Sequence, residues 1–124
     1  MTYEILVMQT PGLVWTTVHG DFLAETVRAV FAHAKTEGAK CGINKFLVDV
    51  RDMRWDDSLL AAHQLARHPE QYGVSKEKDR IAIVYRSGDK VLEFYQTVLQ
   101  NWEQFHMQVF TEERPARDWL GRID

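Results

Sequence analysis

The sequence predicts an α/β domain: a mixed, mostly parallel sheet of about five strands, opened by an N-terminal hairpin and joined by about four helices. Three observations predict it. Short runs rich in β-formers alternate with longer stretches whose apolar residues recur at helical spacing. Two of the runs, Phe46 to Val50 and Ile81 to Tyr85, are almost continuously apolar, as strands covered on both faces are. The 124 residues are 45% hydrophobic and 27% charged, which suits one domain, over 1–124, that buries its own core without disulfides or metals.

The elements follow in order. Tyr3 to Met8 alternates aromatic or branched residues with Glu4, Leu6 and Met8 and reads as a strand. Pro11-Gly12 is a turn pair, and Leu13 to Val18 continues in β-formers, so the two strands form an antiparallel hairpin. Asp21 is placed to cap a first helix, on which Leu23, Val27, Val30, Phe31 and Ala34 make one apolar stripe. Gly38 suits the left-handed residue after its last turn. The strand at 46–50 leads to a second helix capped by Asp57 or Ser58 and closed at Pro69. After the strand at 81–85, Ser87-Gly88-Asp89 turns into a third helix carrying Val91, Phe94, Tyr95, Val98, Leu99 and Trp102. Met107 to Phe110 is a short strand. Thr111 then caps a last helix, with Glu112 and Glu113 in the first turn and Ala116, Trp119 and Leu120 inward. Strands alternating with helices imply parallel neighbours.

Charge narrows the function. Fifteen Lys and Arg are scattered among eighteen Asp and Glu, for a net charge of −3, and no basic stripe offers a nucleic-acid footprint. No apolar run approaches the ~20 residues of a membrane-spanning helix. The opening residues lack a basic segment followed by an apolar one. The single Cys41 fits a reducing compartment. The expected location is the cytoplasm, with no membrane insertion and no nucleic-acid partner.

The stretch Leu47-Val48-Asp49-Val50-Arg51-Asp52-Met53-Arg54-Trp55-Asp56-Asp57-Ser58 resembles the core of STAS domains, in which a strand ending in an acidic or amide residue leads to an Asp-Ser pair at a helix N-terminus. The close of the chain, Val109-Phe110-Thr111-Glu112 through Ala116 and Trp119-Leu120, is similar to the SpoIIAA-like branch of that group, as is the opening Tyr3-Glu4-Ile5. The resemblance spans essentially the whole length. It implies a mixed sheet packed with helices, a fold also likened to lipid-binding CRAL-TRIO (Sec14-like) domains. In STAS anti-sigma-factor antagonists the serine of the Asp-Ser pair is phosphorylated and the domain binds a kinase. That serine is followed by Ser or Thr and then Gly, whereas Leu59 and Leu60 follow Ser58 here.

Ser58 is therefore both a helix-capping residue and a candidate phosphorylation site, since a phosphate at a helix N-terminus meets free N–H groups and the dipole. Asp57 accompanies it. Asp49, Asp52, Asp56 and Asp57 lie near the carboxyl end of a central strand, where open α/β sheets bind ligands. Such carboxylates suit Mg²⁺, but Arg51 and Arg54 lie between them and favour loop ion pairs instead. Trp55 sits in polar surroundings as a candidate contact residue, whereas Trp15, Trp102 and Trp119 fall on core-facing stripes. His63 and His68 are five apart, not the four of a zinc pair on one helix, and His19, His33 and His106 are isolated. Gly38 to Lys45 has neither the spacing nor the polarity of a phosphate loop.

No nucleophile–base pair, metal motif or cofactor signature emerges, so an enzyme is not expected. The reading is a non-enzymatic regulatory or protein-interaction module, forming a homodimer, with Asp49 to Leu60 as its surface. The alternative is a carrier or sensor of a small apolar or lipid-like ligand held between helices and sheet.

Overall fold

The computed structural model describes residues 2–21, 23–54, 68–86 and 106–122. Their core is a five-stranded sheet in the order β1-β2-β3-β4-β5: β1 (Thr2–Met8), β2 (Leu13–Asp21), β3 (Lys45–Arg54), β4 (Arg80–Val84) and β5 (Met107–Phe110). The hairpin β1–β2 is antiparallel and the three remaining pairings are parallel. The mixed, mostly parallel sheet expected of the sequence is therefore present. Two α-helices occur among the described residues, α1 (Ala24–Ala39) and α2 (Glu113–Arg122), rather than about four. The helices expected to follow Asp57 and Ser87 lie outside the described residues. A 3-10 helix, Pro69–Tyr72, begins at the proline that was expected to close the first of them. Proline fits a first-turn position because its missing N–H has no partner there to lose.

The two faces of the sheet carry separate cores. On one, Val14, Val18, Phe46, Val50, Ile81, Tyr85 and Met107 pack against Val30, Phe31 and Ala34 of α1. On the other, Leu13, Leu47, Ala82 and Val84 pack against Ala116 and Leu120 of α2. This is the period-2 alternation of a strand read into two layers. No helix among the described residues is long and apolar enough to cross a membrane.

Three local expectations are corrected. Asp21 does not cap α1. It is the last residue of β2, drawn into the ladder opposite Arg54, and its carboxylate meets Arg54 Nε at 2.9 Å. The residue preceding the helix is Leu23, which offers no capping side chain and is 55% exposed instead of joining the apolar stripe. Gly38 is not the left-handed residue; α1 runs past it to Ala39, and Gly42 takes φ 68°. Glycine is needed at 38 for space. A Cβ there would sit 2.7 Å from the Ile43 carbonyl oxygen and 3.1 Å from Val14 Cγ2, closer than packed atoms approach.

Both β2 and β3 continue past their apolar runs, to the pairings Gly20↔Met53 and Asp21↔Arg54. Between them lies an irregularity. Thr17 pairs with Asp49, but His19, two residues on, pairs with Asp52, three residues on. The extra residue in β3 is a bulge.

Candidate functional site

The bulge decides which side chains share a face. In a regular strand residues 49 and 52 point to opposite sides. Thr17 and His19 lie on one face of β2, so their partners Asp49 and Asp52 lie on one face of β3, the face that α2 packs against. At the carboxyl end of β3 the structure thus gathers Asp49, Arg51, Asp52 and His19, with Arg86 just past the end of β4. Nothing in the sequence pattern marks this, because a bulge depends on the partner strand.

Asp49 is 8% exposed. Its Oδ1 accepts hydrogen bonds from the Arg51 backbone N–H at 3.1 Å and from Arg51 Nε at 3.0 Å, and Oδ2 accepts from Arg51 Nη2 at 2.7 Å. Burial pushes this carboxyl upward. The Arg51 side-chain and backbone hydrogen bonds, with the charges of Arg51 and His19, outweigh it and hold the pKa below its ordinary value. Arg51 is in turn held charged, first by the hydrogen bonds to Asp49, with Glu113 and Asp52 adding negative charge nearby. The fork of the guanidinium matches the carboxylate edge, an arrangement that fixes geometry as well as charge.

His19 bridges strands. Its Nε2 is 3.5 Å from Glu4 Oε1 on β1, and its Nδ1 is 3.4 Å from Asp52 Oδ2 on β3. Arg86 Nη2 lies 3.5 Å from the other oxygen of Asp52. The two carboxylates address opposite ring nitrogens, so His19 and both acids cannot close on one cation. No group of three metal-ligating side chains occurs among the described residues. Of the acidic cluster, Asp49 is paired with Arg51, as the interleaved arginine suggested, and Asp52 meets His19 and Arg86; Arg54 pairs instead with Asp21, and these charges lie on β3 rather than in a loop. Asp56, Asp57, Ser58 and Trp55 lie outside the described residues.

A second feature lies at the other edge. Tyr3, Ile5 and Val7 of β1 floor a groove of about 370 Å³ whose wall is His33 and Glu37 of α1. The Tyr3 hydroxyl is 3.0 Å from His33 Nδ1, and His33 Nε2 is 3.7 Å from Glu37 Oε1, the oxygen that also accepts from Lys40 Nζ at 3.0 Å. Of the histidines singled out in the sequence, His68 contacts Glu70 and His106 contacts the Lys76 carbonyl. Cys41 is exposed, with Gln9 Nε2 3.6 Å from its sulfur. Phe94 and Trp102, around which an enclosed pocket would favour a carrier, lie outside the described residues.

No family model matches the chain, and no curated protein matches it.

Proposed function

We propose that this domain is a non-enzymatic regulatory module of the SpoIIAA-like, STAS-type kind, acting in the cytoplasm by docking to protein. One observation carries the reading: β1 presents an apolar edge to solvent, with Leu6 59% exposed and Ile5 and Val7 only half-buried beside it. Apolar side chains exposed on a sheet edge favour a covering partner. The carboxyl end of β3 supports the same reading in a different way. Asp49 is tied to Arg51 and serves the shape of the strand rather than a ligand. The contact surface there is then the segment beyond it, with Trp55, Asp57 and Ser58, and phosphorylation of Ser58 would regulate docking by adding roughly two negative charges.

A second reading is favoured by the groove along Tyr3, Ile5 and Val7, whose apolar floor and polar wall suit a small apolar or lipid-like ligand.

Native mass spectrometry of the protein purified from its own cells separates the two. The docking module is expected without a small-molecule adduct, and a covalent phosphate mapping to Ser58 would support regulation at that position. A non-covalent adduct of small-molecule mass that leaves on gentle activation would overturn docking in favour of the carrier.

A further inference from the structure

We propose that the partner at the β1 edge is a second copy of this chain, paired antiparallel strand to strand so that two five-stranded sheets become one. The inference rests on the docking reading and names its occupant.

Among the described residues β1 has one strand neighbour, β2. Along its outer edge alternate residues turn their N–H and C=O groups away from the hairpin, where another strand can take them. Edges that avoid such pairing carry lysine, proline or a bulge, or are short. β1 has seven residues, none of them Lys or Pro, and its register with β2 is unbroken. Glu4 is its only charge.

The strand is complementary to itself. With Ile5 opposite the second copy's Ile5, all seven residues pair: Tyr3 faces Val7, Glu4 faces Leu6 and Thr2 faces Met8. The two Glu4 carboxylates never stand opposite each other, which would be destabilising. On one face the row Tyr3, Ile5, Val7 continues into the same row of the second copy, and the two grooves meet across the axis, each bounded on its outer side by the other chain. The acid beside this row, Glu37, already has Lys40 and His33 as partners. On the other face, each Leu6 lies against the aliphatic stem of the opposing Glu4 and diagonal to the opposing Leu6, so the exposed leucine is covered. A heterologous strand has no reason to match this spacing of one charge and five apolar residues; the strand itself matches it by symmetry.

The test is sedimentation velocity of the full chain across roughly 1–100 µM, a range suited to an interface of modest size. A concentration-dependent dimer is expected. Leu6→Glu leaves the exposed position tolerant in the monomer, as circular dichroism should show, but sets two carboxylates against two others across the pair. It should raise the dimer Kd about tenfold or more. Glu4→Lys combined with Leu6→Glu restores opposite charges across the same register and should return the Kd to within about threefold of the original. Hydrogen exchange should show alternate β1 amides protected in the dimer and released in Leu6→Glu. A chain that stays monomeric throughout, a dimer indifferent to Leu6→Glu, or a double variant that fails to restore pairing would each overturn the proposal. Docking itself fails on a different readout, the small-molecule adduct in the native spectrum, so a monomer free of adduct overturns self-pairing alone.

Discussion

The two faces of the central strands each bury a polar side chain, and they treat it in opposite ways. On the α2 face Asp49 is 8% exposed and accepts three hydrogen bonds from Arg51. On the α1 face Thr16 lies between Val14 and Val18, 1% exposed, and its hydroxyl has no hydrogen-bond partner among the described residues. The difference shows what a buried polar group costs when its partner is built into the local chain and when it is not. Arg51 lies two residues from Asp49 on the same strand, so forming the strand brings the pair together. Thr16 has only apolar neighbours on its own face of β2, and a β-branched side chain is kept there for its shape.

The comparison is broken most severely by Asp49→Ala. Removing the carboxylate leaves Arg51 without its fork partner and strips the backbone N–H of its acceptor. Because Arg51 is partly exposed, the loss should be about 2–3 kcal/mol in urea unfolding, toward the lower end for a broken buried pair. An unchanged midpoint would mean that the fork is not structural.

Thr16→Val should move the other way. It keeps the shape, removes the unmade hydrogen bond and should stabilise by about 1 kcal/mol in the same assay. A loss of stability would show that the hydroxyl is in fact satisfied.

Acid titration sharpens the role of Asp49. Its folded pKa lies below its unfolded one, so the unfolded chain binds more protons in the window between them. The contribution is complete above about pH 4, is lost as pH falls through the folded value, and is absent below it. Asp49→Asn should flatten the acid limb of the stability profile relative to the parent. An identical limb would place the titration elsewhere.

The smallest effect is expected of Arg54→Ala. Its pair with Asp21 is two-thirds exposed on both sides, and losing it should shift stability by less than about 0.5 kcal/mol. A larger change would mean that the last pairing of β2 with β3 depends on this contact.

Much of this architecture was legible in order along the chain. The hairpin, the strands at 46, 81 and 107 and the α2 positions Ala116 and Leu120 followed from apolar periodicity, which responds to burial on one face or two. The errors fell where a neighbour, not the residue itself, set the outcome. Asp21 reads as a cap by type, but the ladder to β3 claimed it. Gly38 reads as a helix terminator, but the approach of Ile43 and Val14 explains it better. His19, isolated in sequence, meets Glu4 and Asp52 only because β2 lies between β1 and β3.

The residues alone set the class of the fold and the order of its strands along the chain, and the arginines interleaved with the acids after Val48 pointed to ion pairing there. Each depends on the character and spacing of residues close together. Only contacts between distant residues turn Asp49 and Asp52 to one face through a bulge, bury Thr16 where its hydroxyl meets no partner among the described residues, and leave β1 with β2 as its one strand neighbour among them, beside a groove. These follow from register and strand order, set by contacts between residues far apart in the chain, which no local pattern encodes.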